Sequence, residues 1–341
     1  MEAKTSLDYY DALDDDGQFD EGGKGFRNPR PVRLKRVPAA VQQFIKQQDD
    51  SSQAVDFTYR PARFEEGWLL NSLGYFFEQK WISDVLVKVK GGKEASVYLC
   101  RSGGQVDVPL LAAKVFRPRM LRNLKNDRMY LVGRDVLDED GKQILDLGML
   151  KAHHNRSVYG EQIRHQSWIM HEYQTLLQLH DAGADVPRPY ETSHNAILMD
   201  YIGSEDAAAP PLNTINLGAH QVSSIFKRMV QNIEIMLNQG IVHGDLSAYN
   251  VLYWKGRITL IDFPQVVFPQ RHPAAFQIFK RDISRLCAYF ESQSLRNDPA
   301  SLAASLWKNA GYRLRPEVHP AAMNAEDPQA GDLWRENQKP D

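Results

Sequence analysis

The stretch His243-Gly244-Asp245-Leu246-Ser247-Ala248-Tyr249-Asn250, followed by Ile261-Asp262-Phe263-Pro264, decides how this chain is read. It sets a carboxylate, Asp245, an amide five residues on, Asn250, and a second carboxylate twelve residues further, Asp262. Phosphoryl transfer from a metal-bound nucleotide needs this set. One Asp orients the attacking hydroxyl and takes its proton, while the Asn and the second Asp hold Mg²⁺ on the phosphates. Two apolar segments, Val251 to Trp254 and Ile258 to Ile261, flank Lys255-Gly256, which predicts a hairpin with Asp262 at its end. A lone Asp in a loop is usually a turn former, and a lone Asn a cap. Neither explains D-x-x-x-x-N spacing between a long helix and a hairpin.

That helix is predicted over Gln221 to Asn238, with Val222, Phe226, Met229, Val230, Ile233 and Leu237 inward and Gly240 closing it. Upstream, Trp68, Leu69, Leu73, Phe76 and Phe77 recur at helical spacing from Phe64. Strands are predicted at Ser83 to Lys90, after the Gly91-Gly92 turn, at Leu110 to Phe116, and at Ala196 to Tyr201. Lys114 closes the third of the consecutive strands in Leu111-Ala112-Ala113-Lys114-Val115, where the kinase pattern V-A-I-K has the lysine of the α- and β-phosphates. Its bland alternative is an edge-strand solubility lysine. A helix over Glu161 to His180 supplies Glu172 as the carboxylate for Lys114, with Glu161 a rival on the same helix. The Gly91-Gly92-Lys93-Glu94-Ala95-Ser96-Val97 turn takes the place of the phosphate-covering loop. Its adjacent glycines let backbone approach phosphate, and Lys93 and Ser96 add donors; a plain Gly-Gly hairpin turn is the alternative. Residues 117 to 160 read as a long irregular insertion, and Gly203 to Gly218 as a linker. Beyond Asp262, helices are expected at Ala274 to Ser292 and Pro299 to Trp307. His153, His154, His165 and His171 lack the spacing of a metal site and read as surface histidines.

Composition limits the remaining classes. With 341 residues and 43% hydrophobic content, the chain can build one large two-lobed domain. A net charge of −2 offers no global field for nucleic acid. Cys100 and Cys287 stand alone, without a CxxC pattern, which suits a reducing compartment. No apolar run spans a bilayer and no signal-peptide core opens the chain, so the expectation is cytoplasmic, without membrane contact. Residues 1–62 pass from an acidic run to a basic one between Lys24 and Arg36 and read as a disordered tail. Residues 313–341 read as a polar tail. The basic stretch is a weak candidate for RNA phosphates, with a solvated tail as the alternative.

Gly92-Lys93-Glu94-Ala95-Ser96-Val97-Tyr98, the His243 to Asn250 run and Ile261-Asp262-Phe263-Pro264-Gln265 together resemble the RIO family of atypical protein kinases, over about Asp84 to Ser292. The resemblance implies an α+β, two-lobed protein-kinase-like fold without an activation segment. The N-lobe, 63–202, would be an antiparallel sheet plus helix; the reduced C-lobe, 203–312, mainly helical. This chain has no A-P-E, and only about eighty residues follow Asp262. Carried over by position, Lys114 binds phosphates and pairs with Glu172. Asp245 is the catalytic Asp, and Asn250 and Asp262 hold Mg²⁺, with Mn²⁺ as a substitute. Gly91, Gly92, Lys93, Glu94, Ser96 and Val97 cover the ATP phosphates. Met199 is the gatekeeper, with Asp200 and Ile202 offering backbone to adenine. Gly-Lys-Glu-Ala and Asp-Leu-Ser-x-x-Asn resemble the type-one branch, Asp-Phe-Pro-Gln the type-two branch; type one or a bacterial relative is favoured.

The implied activity is Ser/Thr phosphorylation of a protein or of the chain itself, or ATP hydrolysis through Asp262, with a link to ribosome maturation. Two other classes compete. A small-molecule phosphotransferase of the aminoglycoside or choline kinase type shares the motifs but needs a larger helical region after Asp262. A non-catalytic nucleotide-binding module sits poorly with intact Lys114, Asp245, Asn250 and Asp262.

Overall fold

Seven strands and six helices carry the argument in the computed structural model, which describes residues 57–61, 63–92, 94–117, 130–155 and 157–314. The tails expected at 1–62 and 313–341 lie mostly outside these residues. The described residues group into two units. The first comprises 57–117 and 190–201, the second 130–189 and 202–314.

In the first unit, helix α1 (Arg63–Glu78) precedes strands β1 (Ile82–Gly91), β2 (Ala95–Ser102) and β3 (Leu110–Phe116). After an excursion into the second unit, β4 (Pro189–Thr192) and β5 (Ala196–Asp200) complete a five-stranded sheet of order β1-β2-β3-β5-β4. The β1–β2, β2–β3 and β3–β5 pairs are antiparallel. Successive side chains alternate between sheet faces. Tyr98, Ala113, Val115 and Leu198 fall on the face that packs with Trp68, Leu69, Leu73 and Phe76 of α1. Phe57 joins that core, so ordered packing begins ahead of the expected start at 63. Buried Glu65 is satisfied by donors from Tyr98 (2.5 Å), Lys88 (3.0 Å) and Tyr59 (3.0 Å). A charge on the core face is tolerated because each oxygen is hydrogen-bonded.

In the second unit, the segment expected to be irregular contains an isolated bridge, Leu137 to Gln143, and helix α2 (Leu147–His154), capped by the Asp146 side chain. Helix α3 (Val158–Asp181) follows, with Ser157 as its cap. This segment groups with the second unit, not with the sheet it follows in sequence. The expected linker before α4 (Ala219–Asn238) contains a 3₁₀ turn, Leu212–Thr214. Buried Asn232 of α4 accepts from Asp185 N (2.6 Å) and donates to its carboxylate (2.8 Å). The Asp185 carbonyl in turn accepts from Leu260 N (2.7 Å), tying the turn after α3 to the hairpin. That hairpin pairs β6 (Val251–Trp254) with β7 (Arg257–Leu260). Lys255 and Gly256 both have positive φ, 48° and 82°, as a type I′ turn requires. Helices α5 (Ala275–Ser292) and α6 (Pro299–Asn309) close the unit; α6 is capped by Asp298 with Pro299 in its first turn.

Candidate active site

The predicted residues fall into two groups, one in each unit. In the first unit the β2–β3 register pairs Val97 with Lys114, and the β3–β5 register pairs Lys114 with Ile197 and Ala112 with Met199. Val97, Ala112, Lys114 and Met199 therefore share the sheet face opposite α1. β3 lies between β2 and β5, so Lys114 is not an edge-strand lysine. It is 9% exposed, and its Nζ lies 5.4 Å from the centroid of the Phe116 ring. Ser96 belongs to the other face. It is buried and its hydroxyl bonds with Tyr98, which removes it from the phosphate-facing set. A Cβ on Gly92 would stand 3.0 Å from the Ala95 carbonyl oxygen, a close approach that favours glycine. The Glu94 carbonyl accepts from Arg117 N (2.8 Å). Gly91 pairs with Ser96 at the end of the β1–β2 ladder, and Lys93 lies outside the described residues. Asp200 accepts from the Tyr190 hydroxyl (2.6 Å), and in the second unit the Ile202 carbonyl accepts from Ala209 N (2.9 Å).

In the second unit the motif folds into a knot of hydrogen bonds. Asn250 Nδ2 donates to the Asp245 backbone carbonyl (2.9 Å) and to its Oδ2 (3.2 Å). The amide nitrogen thus points at Asp245, which turns Asn250 Oδ1, the atom able to accept or ligate, the other way. Ile261 N donates to the Asn250 carbonyl (2.9 Å), so Asp262 follows directly from that clasp. Asp262 has φ 71°, a left-handed conformation that Asp tolerates better than most residues. Such backbone persists where the surroundings over-determine it. Phe263 N donates to Glu172 Oε1 (3.3 Å). Glu172 is 1% exposed, whereas Glu161 pairs with Arg164 at 2.5 Å three residues along the helix. Glu172 is the carboxylate built into this knot.

His243 is buried against the Phe263 ring at 4.6 Å. Its Nδ1 accepts from Asp245 N (3.3 Å) and its Nε2 donates to the Ile261 carbonyl (3.2 Å), which sets the Nε2–H tautomer. Gly244 has φ 81°, and a Cβ there would overlap the Gln265 carbonyl oxygen. Two bridging hydrogen bonds of 2.9 Å join Val242 to Val267, so the segments leading into Asp245 and out of Asp262 are held side by side.

Sequence reasoning missed three groups on α5. Asp282, 1% exposed, accepts from Gly244 N (2.9 Å). Burial pushes its carboxyl up, while the Arg281 guanidinium pulls it back. Arg281 donates to the Gly244 carbonyl, to Asp282 (3.1 Å) and to the Tyr130 hydroxyl (3.0 Å). Arg285 pairs with Asp245 Oδ1 at 2.7 Å. Asp282 was detectable: it stands in the α5 stripe with Ile278, Leu286 and Phe290, where a carboxylate on an apolar face needs an explanation.

Among the described residues no group of three His, Cys, Asp or Glu side chains could hold a metal ion. Asn250 and Asp262 fit a metal that arrives on a nucleotide, because Mg²⁺ is commonly held by one or two carboxylates plus substrate phosphates. His171, expected at the surface, instead donates from Nε2 to the Asp135 carbonyl (2.7 Å).

Comparison with known proteins gives the family and the fold. A family model described as the RIO domain matches residues 143–301. The chain is 30% identical over 132 residues to the RIO-type serine/threonine-protein kinase Rio1 of Thermoplasma acidophilum, covering 39% of this chain and 68% of that protein. It is 27% identical over 214 residues to Rio1 of Haloferax volcanii, covering 63% and 66%. Its fold is similar to that of the Rio2 kinase from Chaetomium thermophilum, with TM-score 0.51 at 18% identity, covering 88% and 87%. That likeness places the protein-kinase-like fold.

Proposed function

The chain belongs to the RIO family of serine/threonine kinases, and from that premise we propose that it moves the γ-phosphoryl group of ATP to a hydroxyl of a protein or of itself. The observation that carries the reading is the pair of hydrogen bonds from Asn250 Nδ2 to the Asp245 backbone carbonyl and to its Oδ2. It fixes the carboxylate and leaves Asn250 Oδ1 turned away from Asp245, while the Asn250 backbone carbonyl accepts from Ile261 N, next to Asp262.

In this reading Asp245 orients the attacking hydroxyl and takes its proton. The new bond forms between that oxygen and the γ-phosphorus as the bond to the ADP oxygen breaks. Asn250 Oδ1 and the Asp262 carboxylate would hold Mg²⁺, which when bound neutralises charge on the phosphate oxygens. Lys114, with Val97 on the same sheet face and the Gly91-Gly92 turn at the end of the β1–β2 ladder, serves the phosphates. Met199, Asp200 and Ile202 serve the base. Glu172 keeps the backbone after Asp262 in place. If water replaces the hydroxyl, or if Asp262 takes the phosphoryl group as ADP leaves and water then cleaves that acyl phosphate to free phosphate and the carboxylate, the same residues run ATP hydrolysis.

A cytoplasmic setting is part of the proposal. Cys100 and Cys287 are free and buried, and among the described residues no helix is long and apolar enough to cross a membrane. Contact with a ribosomal precursor or RNA through residues 24–36 extends the proposal to residues outside those described. RNA binding that survives loss of this stretch would remove that extension.

The test incubates purified protein with γ-labelled ATP and Mg²⁺, beside Asp245→Asn and Asp262→Asn. Asn is chosen at 262 because it also tolerates the left-handed backbone, so only the charge is lost. Acid-stable label in the parent and not in Asp245→Asn is the kinase outcome. Hydroxylamine-labile label, or phosphate release alone, is the hydrolytic outcome. No label and no release in the parent, or full activity in Asp262→Asn, overturns the assignment.

A further inference from the structure

Resting on that reading, we infer that Arg134, from the segment between β3 and α3, is a positioning residue for the metal-binding Asp262. Its guanidinium is a fork laid across the loop that leaves Asp262. Nη2 donates to the Pro264 carbonyl (2.7 Å) and to the Val266 carbonyl (2.5 Å), and Nε donates to the Val266 carbonyl (3.2 Å). Pro264 and Val266 lie two and four residues past Asp262. These carbonyls belong to no helix or strand, and a backbone acceptor removed from water needs a donor. Charged donors to carbonyls are short and strong, and only Arg presents them as a rigid fork.

Arg134 is itself anchored. Gly133 has φ 76°, and a Cβ there would stand 2.7 Å from the Arg271 carbonyl oxygen. Asp135 pairs with Arg271 at 2.6 Å. The Asp135 carbonyl accepts from His171 Nε2 at 2.7 Å, and Leu137 N donates to Ser167 Oγ at 3.0 Å. Three consecutive residues thus grip the loop from its start at Pro264 to its end at Arg271, with α3 behind them. The left-handed turn at Asp262 needs such over-determination.

Mn²⁺ is the probe, added with a non-hydrolysable ATP analogue and followed by the spectroscopic signal of the free ion. Parent, Arg134→Ala, Arg134→Lys and Asp262→Asn are compared, with circular dichroism on each. The expected result is a folded Arg134→Ala that retains Mn²⁺ about tenfold more weakly, the scale of lost support behind a metal ligand. Arg134→Lys, with charge but no fork, should lie between. Should Arg134→Ala fail to fold, Arg134→Lys carries the test alone, and retention equal to the parent overturns the inference. So does equal retention in a folded Arg134→Ala while Asp262→Asn is impaired. Equal retention in Asp262→Asn, or none in the parent, instead overturns the metal assignment on which the inference rests.

Discussion

Arg285 Nη1 stands 2.7 Å from Asp245 Oδ1, while Asn250 Nδ2 holds Oδ2 at 3.2 Å. Each oxygen of the proposed catalytic carboxylate therefore has its own donor, one charged and one neutral. A carboxylate oxygen has room for more than one partner. The pair thus fixes the plane of the group while leaving lone pairs for an incoming hydroxyl.

Both members of this ion pair are more than a third exposed, so its removal should cost little stability, below about 1 kcal/mol. Its effect should appear in turnover, because a freed carboxylate samples unproductive orientations. Arg285→Ala is expected to melt close to the parent and to lose about tenfold in kcat, with Arg285→Lys recovering part. Steady-state ATP turnover beside a thermal melt checks this. A large drop in melting temperature with unchanged kcat would make Arg285 a structural residue only.

His171 gives a pH dependence. Burial lowers its imidazole from 6.5 to about 4; the Asp135 carbonyl opposes this and Arg134 adds to it. The Phe268 ring, 6.4 Å away, also faces it. With the folded value below the unfolded one, falling pH protonates the unfolded chain first. This stabilising contribution is whole above about pH 6.5, is lost between 6.5 and about 4, and is gone below. The full difference is on the order of 3 kcal/mol. Urea midpoints of the parent should fall across that window, and His171→Gln should fall less. Equal slopes would mean that His171 titrates alike in both states.

Much of the fold around the candidate site was legible because its signals are local. The Lys255-Gly256 turn between apolar runs specifies a hairpin, and the D-x-x-x-x-N spacing places two side chains on one short connection. The α1 stripe follows from helical periodicity, and the strand with Lys114 from an apolar run bounded by turns; its central place in the sheet came only with the pairing to β5. What escaped depends on distant partners. Arg134 reaches carbonyls 130 and 132 residues away, and backbone carbonyls carry no sequence signature. β4 is four residues long and begins at a proline, so pairing with β5 and not propensity makes it a strand. Ser96 was misjudged for a different reason: its loop position suggested phosphate, but the pleat turns it toward Tyr98.

Gly244 provides the sharpest test of the knot. Its φ of 81° is one that L-residues rarely adopt, its amide donates to Asp282, and a Cβ would overlap the Gln265 carbonyl oxygen. Backbone cannot retreat as a side chain can, and Gln265 sits between the two carbonyls that Arg134 holds. Gly244→Ala should therefore cost about 1–3 kcal/mol from the conformation, plus the displacement of a loop that begins two residues past Asp262. The expected outcome is a lowered denaturant midpoint and near-complete loss of turnover, since Asp245 and the Asp262 loop move apart together. The control is Gly256→Ala: it also has positive φ, 82°, but nothing lies within 4 Å of its Cβ. Strain alone should lower stability in both variants; only Gly244→Ala should lose turnover. Equal turnover in the two would show that the close approach at Gln265 does not position the site.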